Sequence, residues 1–166
     1  MKIIGIDPGY AIVGWGVVDY QRSRFTTLDY GAITTKAGMP FEQRLLTIHQ
    51  ELDSILTIHK PDAMSMEKLF FTTNQKTAID VAQARGVILL CATQHQIPCY
   101  HYTPLQVKQS VVGYGKAVKT QVMEMTKRLL HLQAVPKPDD TADALAIAIC
   151  HAHSAGSRLA QYGARY

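Results

Sequence analysis

The first nineteen residues constrain this chain most. Lys2–Asp7 is an apolar run with isoleucines at 3, 4 and 6, and its one acid, Asp7, comes last. Such a run reads as a buried strand. Pro8-Gly9 makes a turn. Ala11–Asp19 then alternates: Val13, Trp15 and Val17 share one face by period two, and Gly14 and Gly16 share the other. Glycines on a strand face predict that another backbone or a ligand approaches closely. Asp7 is expected at the mouth of the sheet, where functional groups gather in sheet proteins.

The pattern continues with a third strand over Phe25–Thr34, which completes a three-stranded antiparallel meander. Phe41–His59 is an amphipathic helix, with Leu45, Ile48, Leu52, Ile55 and Leu56 at helical spacing, and Pro61-Asp62 breaks it. Ala63–Leu69 is a short strand carrying Glu67, and residues 70–74 form a polar-aromatic loop. Thr77–Gln96 is a helix rich in small residues, Ala78, Ala82, Ala84 and Gly86, suited to close packing against another helix. Ile97–Tyr102 is a fifth strand. Short helices are expected around 104–110 and 118–131, and a last helix from near Asp140 to about His153. The order βββαβαβααα predicts an α/β fold: a mixed five-stranded sheet, meander plus parallel strands, with helices on both faces. Residues 1–153 read as one domain and 154–166 as a flexible tail.

Composition removes several classes. The 166 residues are 47% apolar and 18% charged, an ordinary globular profile. No apolar run approaches the roughly 18 residues of a membrane span. Asp7 and Pro8 interrupt the N-terminal apolar run too early for a signal-peptide core. Cys91, Cys99 and Cys150 are an odd count with no C-x-x-C pair, and read as reduced thiols of a cytoplasmic protein.

Four carboxylates have reason to meet. Asp7 closes the first strand and Glu67 stands near the end of the fourth. Asp140 and Asp143 lie i, i+3 in the first turn of an apolar helix and share a face. Singly, each has an ordinary explanation: a turn residue for Asp7, an ion pair for Glu67, capping of free N–H groups for Asp139 and Asp140. Together, they offer acids from three elements, each at an element end beside an apolar run. Buried carboxylates repel one another and lose solvation, so the group calls for cations. Oxygen-only donors favour Mg²⁺ or Mn²⁺. Two such ions about 4 Å apart are the apparatus of phosphodiester hydrolysis. The histidines offer no rival: His151 and His153 read as structural, and His95, His101 and His131 as isolated.

The net charge of +4 is modest, but the basic excess is local. Between Pro104 and Pro138 stand Lys108, Lys116, Lys119, Lys127, Arg128 and Lys137 against one acid, Glu124. Gly113-Tyr114-Gly115 reads as a flexible loop inside this stretch. Lysines around it suit phosphate contacts on nucleic acid, and equally an ordinary solvated helix face.

With these residues in place, the chain resembles the RuvC-type Holliday junction resolvases, crossover junction endodeoxyribonucleases of the RNase H-like fold. The matching segments are Ile4-Gly5-Ile6-Asp7-Pro8-Gly9 with Gly14-Trp15-Gly16; Glu67 with Phe70; Ala82-Gln83-Ala84-Arg85-Gly86; Gln106-Val107-Lys108-Gln109 with Val112-Gly113 and Lys119; and Asp140-Thr141-Ala142-Asp143-Ala144-Leu145-Ala146. They occur in order across residues 1 to about 153. The resemblance implies that Asp7, Glu67, Asp140 and Asp143 are catalytic metal ligands, with Asp139 a one-residue alternative to Asp140. It implies two Mg²⁺ per site, with Mn²⁺ a substitute, and hydrolysis by metal-activated water that leaves 5′-phosphate and 3′-hydroxyl ends. Phe70 would act on bases at the junction, and Lys108 and Lys119, with Lys116 beside them, would contact DNA. The implied partners are a four-way DNA junction, a second copy of the chain through the helix around 77–96, and branch-migration proteins of the same recombination and repair pathway.

Two other functions fit parts of the pattern. An actin/Hsp70-like ATPase domain also begins with a strand, an Asp-x-Gly turn and a Gly-bearing hairpin, but needs two such domains around one nucleotide. A junction-binding protein without activity, or a relative acting on RNA, shares the basic stretch; the presence of all four carboxylates speaks against an inactive one.

Overall fold

In the computed structural model, which describes residues 1–68 and 75–155, β1 (Lys2–Asp7) lies at the centre of the sheet, with Ile3 to Ile6 all buried. It pairs antiparallel with β2 (Ile12–Gln21), where Asp7 stands opposite Gly14. On its other side it pairs parallel with β4 (Ala63–Glu67), Ile6 beside Met66. β3 (Arg24–Thr34) and β5 (Cys99–Tyr102) form the edges, giving the order β3-β2-β1-β4-β5. The expected mixed five-stranded sheet is present.

Helices cover both faces, and strand parity decides which residue meets which helix. Ile4 and Ile6 of β1, Val13 and Val17 of β2, and Met64 and Met66 of β4 point to one face. There they pack with Ile48, Leu52 and Leu56 of α1 (Phe41–His59) and with Ala84, Ile88, Cys91 and Ala92 of α2 (Gln75–Gln94). Ile3, Val18 and Tyr102 face the other way, onto α3 (Pro104–Val112), α4 (Lys119–Leu129) and α5 (Asp139–Ser154). α5 is buried along nearly its whole length, with Leu145 to Ala152 almost unexposed.

Two of the glycines in the sheet are where the α5 backbone comes down. A Cβ on Gly5 would collide with the Ala144 carbonyl, and one on Gly14 with the Asp140 carbonyl. The glycine face of β2 is therefore the seat of a helix backbone, as the alternation predicts.

Boundaries differ where local geometry is unusual. β2 and β3 run closer to their turn than expected, because Arg22 and Ser23 both adopt positive φ, 49° and 62°. That is the two-residue hairpin turn usually made by Asn-Gly. α2 stops at Gln94 rather than Gln96, and Gln96 is left-handed. β5 starts at Cys99, two residues after the expected Ile97, while the Pro98 carbonyl accepts from the Met64 N–H. β4 ends on Glu67, short of Leu69. The loop at 70–74 and most of the expected tail, from residue 156 on, lie outside the described residues. No helix among the described residues is long and apolar enough to cross a membrane.

Candidate active site

Strand parity turns Asp7 and Glu67 to the same face of the sheet. On β1, Ile3 and Gly5 face α5, so Asp7, two residues further, faces it as well. On β4, the Ser65 hydroxyl donates to the Ile147 carbonyl of α5 at 3.3 Å, so Glu67 shares that face. Both acids close their strands at neighbouring carboxyl ends of the parallel pair. Above them the first two turns of α5 supply Asp140 and Asp143, brought close by Gly14.

The electrostatics report this convergence. Burial first, then Asp143, Asp140 and Glu67, push the Asp7 carboxyl up to about 7, and Lys119 opposes them. Burial and then Asp143 raise Glu67, with Lys108 opposing. A carboxyl in a poorly hydrated place among other carboxylates holds its proton because its charge has nowhere favourable to go. The donor set is all oxygen, partly buried, and short of positive charge. Those are the requirements of a hard divalent cation, and the residues present fit one. Asp7, Glu67, Asp140 and Asp143 are the groups that would hold it.

Two of the expected lysines border this cluster. Lys119, the first residue of α4, sets its Nζ 2.9 Å from Asp143 Oδ2 and 3.7 Å from Asp139. Lys108, half-buried on α3, is close enough to Glu67 to oppose its rise. Thr103 caps α3 by accepting from the Gln106 N–H, and Gln106 answers from its own side chain. That capping box fixes the helix carrying Lys108. Lys116 lies exposed between α3 and α4. Phe70 falls outside the described residues.

Asp139 is drawn away from the cluster. Its carboxylate pairs with Lys137 at 2.7 Å and with Lys119, and these hold it below the usual carboxylate range. Asp140, not Asp139, is the neighbour that Asp7 senses. Neither acid caps α5 through its side chain, since Pro138 occupies the cap position.

The reading of the histidines needs correction. His151 is structural as expected: buried, and bonded to the Tyr102 hydroxyl at 2.7 Å. His101 is not isolated, for Arg85 Nη2 lies 2.6 Å from its Nδ1. Neither is His95, whose Nε2 lies 2.7 Å from Asp53 Oδ1, with Cys91 alongside. Partners 16 and 42 residues away leave no mark in local spacing.

Arg85 was missed as a site residue. Its Nη1 donates to the Glu67 carbonyl at 2.6 Å, so α2 grips the backbone that carries this acid. A signal existed: Arg85 stands at helical spacing from the buried Ile88 and Ala92, an unusual place for a guanidinium.

Comparison with known proteins now decides the relationship. The pattern of the family described as crossover junction endodeoxyribonuclease RuvC matches residues 3–151. The chain belongs to the RuvC family. A RuvC of Alkaliphilus oremlandii is 58% identical over 154 residues, covering 93% of this chain and 94% of that protein. One of Ruminiclostridium cellulolyticum is 56% identical, covering 93% of each. Among solved structures, Thermus thermophilus RuvC in complex with Holliday junction substrate superposes with a TM-score of 0.89 at 36% identity, covering 93% of this chain and 94% of that one. The yeast mitochondrial Holliday junction resolvase shares the fold at a TM-score of 0.64 and 14% identity. RuvC membership implies use of a divalent metal, which the oxygen donors around Asp7 suit.

Proposed function

We propose that this chain is an endonuclease that resolves four-way DNA junctions by paired, symmetric incisions during homologous recombination and repair. The observation that carries the reading is the convergence of Asp7, Glu67, Asp140 and Asp143 at one end of the sheet, bordered by Lys108 and Lys119. Residues 1–153 act as one nuclease domain.

Asp7, Glu67, Asp140 and Asp143 would hold two Mg²⁺ ions, for which Mn²⁺ would substitute. Such ions would supply the means to activate a water and to offset charge on the leaving oxygen, consistent with 5′-phosphate and 3′-hydroxyl ends. The chain's own residues do the rest. Arg85 fixes the Glu67 backbone, so its carboxylate is held in place before substrate arrives. Lys119, paired with Asp143 at 2.9 Å, is placed to face a phosphate brought to the cluster. Lys108 does the same from the Glu67 side, and Lys116 contacts the backbone further out. Phe70 stacks on a base opened at the junction.

Symmetric incision needs two active sites related by a two-fold axis. α2 is suited to pair two copies: Ile79 and Leu90 are exposed on it, 60% and 55%, and Gly86 leaves open space. The branch-migration proteins of the pathway are the further partners, and the cytoplasm is the place of action.

The substrate is tested by incubating the protein and Mg²⁺ with a four-way DNA junction, a linear duplex of the same sequence, and structured RNA. The junction should be cut in two strands while the others persist. Equal cutting of linear duplex would remove junction selectivity, and preferential cutting of RNA would move the chain to another substrate class.

A further inference from the structure

On the opposite face of the sheet from the carboxylates, α1 and α2 bring together three side chains of different ligand chemistry. Asp53 comes from α1, and Cys91 and His95, one turn apart, from α2. Their carboxylate oxygen, thiol sulfur and ring nitrogen all lie within 4.8 Å of one another. We propose that Asp53, Cys91 and His95 form a second metal site, for zinc, that staples α1 to α2 and is independent of the carboxylate cluster.

The donor set selects the metal. A thiolate and an imidazole favour a borderline-soft ion such as zinc over Mg²⁺. Three protein ligands leave the fourth tetrahedral position to water. The i, i+4 spacing of Cys91 and His95 puts both on one helix face, as in helical zinc sites. The cluster grades from interface to solvent: Cys91 is fully buried, while the side chains of His95 and Asp53 are 22% and 50% exposed. An ion can therefore enter from the His95 and Asp53 side and be closed off by sulfur.

The neighbours are already oriented. Asp53 holds His95 at 2.7 Å, which fixes the imidazole. The Cys91 thiol donates to the His49 carbonyl at 3.9 Å, and the His49 ring is bonded to Gln94 at 2.9 Å. Burial, then Asp53, push that thiol up to about 11. Without metal it is a protonated, unreactive thiol, and zinc binding releases its proton to solvent. Bond lengths of about 2.3 Å to sulfur and 2.0–2.1 Å to nitrogen would draw the Cys91 sulfur inward, while the His95–Asp53 pair, 2.7 Å apart without metal, would open slightly to admit the ion between them. Occupation thus replaces the His95–Asp53 hydrogen bond by metal-ligand bonds that join α1 to α2. α2 also carries Arg85, so the staple and the Glu67 grip lie on one helix.

The test uses full-chain protein with cobalt as a spectroscopic stand-in for zinc, in excess Mg²⁺ to fill the carboxylate cluster. One equivalent of Co²⁺ should give a thiolate-to-cobalt charge-transfer band with the visible bands of a tetrahedral ion, and Zn²⁺ should displace it one for one. Cys91→Ser should abolish the charge-transfer band. His95→Gln should weaken binding roughly tenfold or more. Asp7→Asn should leave the band intact. Absence of a thiolate band in the unmodified protein, its survival in Cys91→Ser, or unchanged affinity in His95→Gln would each overturn the site. If Cys91→Ser fails to fold, the unmodified protein's band and the partly exposed His95→Gln decide the matter.

Discussion

Asp7 stands directly across the β1–β2 ladder from Gly14, and the Asp140 carbonyl of α5 occupies the space where a Gly14 side chain would be. The acid and the glycine are thus two halves of one device. β1 delivers a carboxylate, and its partner strand has no side chain at the level where the helix must descend with two more. Gly14→Ala should push the start of α5 off the sheet and cost about 1–3 kcal/mol of stability, as overpacking does. Junction cleavage should fall much further than stability, because Asp140 and Asp143 move with the helix. Urea unfolding and single-turnover cleavage on the same preparation check this, and cleavage at the normal rate would mean that α5 can shift without displacing its acids.

The raised Asp7 carboxyl makes the metal-free protein pH-sensitive in a direction opposite to most acids. The folded state keeps a proton, up to about pH 7, that the unfolded chain loses near 3.8. Stability is therefore fully present below pH 3.8 and declines as pH rises towards and through 7. At about 1.4 kcal/mol per pKa unit the whole effect is on the order of 4 kcal/mol. In chelator, Asp7→Asn should be the more stable protein at pH 8, with the difference vanishing near pH 4. Mg²⁺ should restore the unmodified protein at pH 8 and do little for the variant. Thermal melts across that pH range, with and without Mg²⁺, measure all four quantities.

Arg85 joins α2 to the Glu67 carbonyl and to His101. Burial, then Arg85 and Lys68, hold His101 down to about 4, so the imidazole is neutral. Arg85→Met removes the donor and leaves a part-buried carbonyl unpaired, a cost of about 1–3 kcal/mol. Cleavage should slow and the Mg²⁺ requirement rise, while junction affinity stays near normal. A Mg²⁺ titration of cleavage set beside a gel-shift titration separates the two, and a change in binding alone would place Arg85 in DNA contact instead.

The skeleton of this arrangement was legible in sequence because strands keep strict parity. The isoleucines of β1, the glycines of β2 and the i, i+3 acids of α5 each fix a face, and the faces agree. Less was legible where chemistry depends on chain-distant partners. Nothing local to His95 announces Asp53, 42 residues away, and nothing local to Arg85 announces the Glu67 carbonyl. The Arg22–Ser23 turn was obscured for another reason: its left-handed backbone is carried by residues that do not advertise it.

The proposed DNA contacts of Lys108, Lys116 and Lys119 would give binding a salt signature. If each meets a phosphate, junction affinity should fall steeply with salt, and each Lys→Ala change should reduce the slope of log K against log salt by about 1. Lys119→Ala has a second effect, because Lys119 holds Asp7 down. Its loss should shift the pH dependence of the metal-free melt upward, which Lys116→Ala should not do. Fluorescence anisotropy at several salt concentrations reads the slopes, and a flat dependence would contradict the assignment of this stretch to DNA.

The most direct test of the carboxylate site is Asp7→Asn on a labelled four-way junction in Mg²⁺, with binding and strand cleavage followed in the same samples. Junction binding should persist at near-normal affinity while paired incision disappears. Full cleavage by Asp7→Asn would contradict the assignment of the carboxylate cluster as the catalytic centre.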